Sequence, residues 1–105
     1  MEAMQLATKQ NFVNEMLAFV QLKFPLNYTQ LTKEEIREKV EKMITLAEMN
    51  LLFSRFHIRL FIAYNCFYNW EGIIRDENIK AIFASREYSA KEKFELVRDI
   101  MSSKK

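Results

Sequence analysis

The sequence predicts an all-α domain: a compact bundle of four to five helices around a central aromatic-rich helix at about residues 54–68. Three observations carry this expectation. Only one glycine and one proline occur in 105 residues, far below the usual ~7% and ~5%, and sheets joined by tight turns need more such punctuation. Half of the residues are apolar and 13% are aromatic, ample for a core and unlike the composition of disordered chains. Seven of the fourteen aromatic residues fall within Leu51–Trp70, the most apolar stretch. A chain of this length is one domain, 1–105, with residues 1–5 and 102–105 expected to fray.

The first helix is expected from about Leu6 to Phe24, because Phe12, Met16, Phe19, Val20 and Leu22–Phe24 follow helical spacing. Pro25 ends it, since the residue before a proline is pushed out of the helical region, and PLNYTQ then reads as a loop. Thr32-Lys33-Glu34-Glu35 is a capping box, with Leu31 and Ile36 placed for a hydrophobic staple. The helix it opens carries Ile36, Val40, Met43, Ile44 and Ala47 on one face and runs to about Met49. Asn50, tolerant of left-handed backbone, is the expected stop.

Ser54 is an N-cap candidate for the central helix. At about 100° per residue, Phe56, Leu60, Phe61, Ala63, Tyr64, Phe67 and Tyr68 cover one broad side, the expected core face. The opposite side carries Ser54, Arg55, Arg59, Asn65 and Asn69, crossed by a second apolar stripe of Ile58, Ile62 and Cys66. A helix apolar on both sides is usually central in its domain. Two readings of the stripe follow: another helix of the chain covers it, or it receives a partner between its Arg and Asn rims. Trp70-Glu71-Gly72 breaks the pattern. Asp76 is placed to cap a short helix over Glu77–Ala84, and Ser89-Ala90-Lys91-Glu92 is a second capping box, opening a last helix that ends near Met101. The expected core is Phe12, Met16, Phe19, Ile36, Val40, Ile44, Phe56, Leu60, Phe67, Phe94 and Val97.

Charge and composition narrow the function. A formal charge of +2, from 16 basic and 14 acidic residues interspersed, offers no broad field for nucleic acid or an anionic membrane. The candidate recognition helix is aromatic where a DNA reader displays polar and basic groups. Arg55, His57 and Arg59 interrupt the best apolar run, well short of the ~18 residues that a membrane span needs. One cysteine suggests no disulfide framework, and MEAMQLATKQ lacks the marks of a signal peptide. The expected compartment is the cytoplasm.

Catalytic chemistry finds little footing. His57 and Cys66, the single histidine and the single cysteine, lie nine residues apart on one helix, roughly 13 Å along its axis at 1.5 Å per residue. One of each is too few for zinc, and one glycine cannot build a phosphate loop. No catalytic residue, metal or cofactor is expected.

The order of landmarks carries one resemblance. Phe24-Pro25 closes the first helix, Leu31-Thr32 opens the second with Ile36 and Arg37, and Met49-Asn50-Leu51 leads into the aromatic helix. Trp70, Ile82-Phe83 and Ser89…Lys93…Leu96 follow. Over roughly Phe12–Val97 this resembles small helical proteins encoded in bacterial type VI secretion clusters, near genes for spike proteins, effector adaptors and toxic effectors. Asn50 stands where that group tends to have glycine, and Ser85 where it tends to have an acidic residue. The resemblance implies a cytoplasmic accessory that acts by binding an effector or its adaptor before secretion, with no catalytic residues.

The expected function is therefore protein binding, as an accessory or co-chaperone. The contact surface expected for it is Arg55, Ile58, Arg59, Ile62, Cys66 and Trp70. An immunity protein for a cognate toxin and a homodimeric structural module are the alternatives.

Overall fold

The computed structural model describes residues 6–103, and the side chains of residues 9–102. Residues 1–5 and 104–105, expected to fray, lie outside the described residues. Six α-helices follow in order: α1 (Leu6–Lys23), α2 (Pro25–Thr29), α3 (Lys33–Met49), α4 (Arg55–Phe67), α5 (Glu77–Ala84) and α6 (Ala90–Ser103), with a 3₁₀ turn at Gly72–Ile74. Among the described residues there is no strand. The domain is flat, 35 × 34 × 18 Å, and 18 Å is about two helix diameters.

The helices α3 to α6 start where a side chain can serve their first free N–H groups. Thr32 Oγ1 accepts from the Glu35 N–H at 3.2 Å while Glu35 Oε1 accepts from the Thr32 N–H at 3.0 Å. Ser89 and Glu92 repeat that reciprocal pair at α6, Ser54 Oγ accepts from the His57 N–H at α4, and Asp76 accepts from Asn78 and Ile79 at α5. These reciprocal bonds favour the ionised carboxylate, so Glu35 and Glu92 are held below the ordinary glutamate pKa. Pro25 breaks the first helix but also opens α2 in place of the expected loop. Its ring needs no N–H and its φ suits a first helical position. The last helix runs through Ser103, two residues past the expected Met101.

The left-handed residue after α3 is Leu51, at φ 64°, and not Asn50, at φ −96°. Leu52 N–H donates to Ala47 O and Leu51 N–H to Glu48 O, the two bonds of a Schellman turn, and Leu52 and Ala47 are both buried. Asn50 instead turns inward and its Nδ2 donates to Leu46 O at 2.7 Å. The same turn ends α4: Trp70 N–H donates to Asn65 O, Asn69 N–H to Cys66 O, and Asn69 and Trp70 hold positive φ.

The core joins α1 (Phe12, Val13, Met16, Val20), α3 (Ile36, Val40, Met43, Ile44, Ala47) and α4 (Ile58, Phe61, Ile62, Cys66) to Ile79 and Phe83 of α5 and Val97 of α6. Phe83 of α5 joins α4 to α6, meeting Phe61 edge-on at 5.2 Å and Phe94 at 5.4 Å between ring centres. Of the expected core, Phe12, Met16, Ile36, Val40, Ile44 and Val97 are buried, and Phe19, Leu60 and Phe94 are half-buried. Phe56 and Phe67 are a correction: they are 56% and 70% exposed.

Candidate functional site

Of the two readings of the second stripe on α4, the structure shows the first: other helices of the chain cover it, while Phe56 and Phe67 of the expected core face are exposed and Phe61 of that face is buried. Ile58, Ile62 and Cys66 are 0–3% exposed and belong to the core shared with α1 and α3, so they present no surface to a partner. Trp70 is buried as well. Arg55 lies over the Phe12 ring, 5.6 Å from its centre, and Arg59 is exposed. The six expected contact residues therefore form no common surface. The reason lies in Asn65, which occupies the middle of the supposedly polar side yet is 0% exposed. Its Nδ2 donates to Phe61 O at 2.9 Å and its Oδ1 accepts from the Ile73 N–H at 2.9 Å. With both its nitrogen and its oxygen bonded, an amide can lie in a core at reduced cost.

That amide also begins a knot which ties the end of α4 to the 3₁₀ turn. Tyr64 Oη donates to Gly72 O at 2.7 Å. Burial, with Tyr68 adding and Arg75 opposing, pushes the Tyr64 phenol up to about 12. Gly72 is required here by close approach: a Cβ on it would stand 2.7 Å from Tyr64 Cε2 and 3.0 Å from Asn65 Cα. Arg75, just beyond the turn, holds its guanidinium carbon over the Tyr68 ring, 4.6 Å from the ring centre.

The knot forms one wall of a cleft of about 640 Å³ between the end of α4 and α6. Tyr64, Phe67 and Tyr68 line it from α4, and Ile79 from α5. Phe94, Val97, Arg98, Met101 and Ser102 line it from α6, with Arg75 and Asp76 at the junction. Phe67 stands at its edge, 70% exposed and edge-on to Tyr68 at 5.1 Å. Withdrawing such a ring from water is worth up to about 2 kcal/mol, and α4 leaves that free energy unused.

The remaining reactive side chains are occupied by packing. His57 sits outside the cleft, its Nδ1 2.7 Å from Ser54 Oγ and its ring stacked on Phe94 at 5.8 Å. Burial pushes the Cys66 thiol up to about 12, far from the thiolate a nucleophile needs. Lys93 is 1% exposed; its Nζ donates to Asn50 O at 2.7 Å, at the C-terminal end of α3. Burial lowers its pKa below the usual lysine value. No group of three or more His, Cys, Asp or Glu side chains among the described residues is placed to hold a metal ion, and no described helix is long and apolar enough to cross a membrane.

Sequence reasoning missed the cleft although its signal was present. Helical spacing places Phe67 and Tyr68 on the inward side of the central helix and puts Phe94 and Val97 of the last helix in the expected core. Both helices carry more apolar surface than the core can absorb, and only the packing shows which part is left over. No protein-family profile, curated protein or solved structure matches the chain.

Proposed function

We propose that the chain is a non-catalytic protein-binding module, an accessory or co-chaperone that holds a type VI secretion effector or its adaptor in the cytoplasm before export. Its contact surface is the cleft between α4 and α6. The observation that carries the binding reading is Phe67, a large ring left in water beside Tyr68 at the rim of an apolar cleft. Exposed apolar surface of this kind, bordered by arginine, is the usual anchor of a protein interface. The order of landmarks from Phe12 to Val97 supports the secretion role.

Photo-crosslinking in the source cell tests both parts. Benzoylphenylalanine at position 67 is expected to yield an adduct with an effector or adaptor encoded beside a secretion cluster. The same group at exposed Glu41 of α3 is expected to yield none. Absence of any adduct at 67, equal adducts at both positions, or an adduct with a second copy of the chain alone rejects the proposal.

A further inference from the structure

Resting on that binding reading, we infer that the cleft takes an amphipathic helix whose apolar stripe is flanked by carboxylates. The cleft floor along α6 is Phe94, Val97, Arg98, Met101 and Ser102, the i, i+3, i+4, i+7, i+8 row of a helix. At 1.5 Å per residue that row is about 12 Å long, enough to face two turns of a second helix. Its walls are helices, with no strand edge among the described residues, so an entering peptide finds no ladder of N–H and C=O groups to join. A segment laid on such apolar walls must satisfy its own backbone, and a helix does so internally.

Charge selects the flank. Arg75 and Arg98 both line the cleft and both are exposed. Arg75 holds its guanidinium over the Tyr68 ring while remaining exposed, and a guanidinium is the cation best matched to a carboxylate. Asp76, the acidic group of the lining, turns its carboxylate onto the first N–H groups of α5, where the helix dipole offsets its charge. Glu92, Glu95 and Asp99 line a neighbouring depression on the other side of Arg98 and not the cleft itself. The cleft thus presents cation to whatever enters it.

Two hydrocarbon-stapled helical peptides with one Leu/Phe stripe, flanked by Glu in one and by Lys in the other, test this by fluorescence anisotropy on the full chain. The Glu peptide is expected to bind about tenfold tighter, a preference that shrinks as salt is added. Arg98→Glu, at an exposed position, is expected to reverse the order, and Phe67→Ala to weaken both peptides. Equal affinity for the two peptides overturns the acidic-flank inference and leaves the binding module standing. Binding untouched by Arg98→Glu and Phe67→Ala, or no binding of either peptide, overturns the helix-in-cleft inference. The crosslink at position 67 then judges the binding module separately.

Discussion

Replacing Ile62 and Phe67 with alanine, one at a time, separates the two sides of α4 by stability. Ile62 is 0% exposed between α1, α3 and α4. Truncating a buried isoleucine to alanine removes its transfer free energy and leaves a cavity, together about 2–5 kcal/mol. Phe67 is 70% exposed, so truncation forfeits little beyond its edge contact with Tyr68, less than about 1 kcal/mol. Alanine favours the helix slightly at both sites, so that effect largely cancels in the comparison. For a domain of about 100 residues each kcal/mol moves Tm by at least ~4 °C, so Ile62→Ala is expected to lower it by at least about 8 °C. The Phe67→Ala shift should stay below about 8 °C and be smaller than that of Ile62→Ala. Urea unfolding followed by far-UV circular dichroism reads the same difference as a shift of midpoint at unchanged slope. A core built on Phe56 and Phe67 predicts the reverse, with Phe67→Ala costing about 3–5 kcal/mol. Phe67→Ala proving the more damaging of the two would refute the burial described for α4. Ile62→Asp, which would probe an exposed stripe, is expected to unfold the domain by burying an unpaired charge.

Four further outcomes follow from local geometry. Gly72→Ala forces a methyl into Tyr64 and the Asn65 backbone and should cost about 1–3 kcal/mol; an unchanged urea midpoint counts against the close approach. At Leu51 the left-handed backbone disfavours β-branching, so Leu51→Val should be less stable than Leu51→Gly by about 1 kcal/mol or more, and the opposite order would locate the turn elsewhere. The Cys66 thiol, pushed up to about 12 from 9.0, stays protonated in the fold while the unfolded thiol ionises. Stability should therefore fall as pH rises from 9 toward 12, a loss that Cys66→Ala diminishes; immediate labelling of the native thiol by Ellman's reagent would contradict its burial. Lys93 has the opposite sign. Its pKa is lowered in the fold from 10.5, so approaching 10.5 from below the unfolded chain holds more protons. Wild type should gain stability relative to Lys93→Met as pH rises through that window, and parallel pH profiles would show that the amine is not buried as a cation.

The legible and illegible parts of this fold divide by the range of the interactions. Thr32/Glu35, Ser89/Glu92, Ser54 and Asp76 were readable because a cap joins residues two or three apart, and their bonds follow from the backbone of one turn. The turn after Asn50 was readable as a stop but not in its register. Asn50 was the better left-handed residue by propensity, yet its amide bonds Leu46 O and Leu51 takes the strained position. Gly72 was legible as a break, whereas its true constraint, contact with Tyr64 and Asn65, joins residues brought together only by the Schellman turn at the end of α4.

By itself the sequence determined that the chain is helical, where most of its helices begin, and that α4 is apolar on two sides, because periodicity and capping are written within a few turns of backbone. Only the tertiary structure decided which side of α4 faces inward. Helical spacing placed Phe56, Phe61 and Phe67 together on the inward side, while the fold keeps Phe61 inside, leaves Phe56 and Phe67 exposed, and buries Ile58, Ile62 and Asn65 as well. The choice turns on whether a polar group finds partners. Asn65 finds them in Phe61 O and the Ile73 N–H, the second of which reaches it only after the chain has turned back on itself. Once that amide is satisfied, the branched aliphatic stripe packs against α1 and α3, and the leftover rings of α4 and α6 become the rim of a cleft.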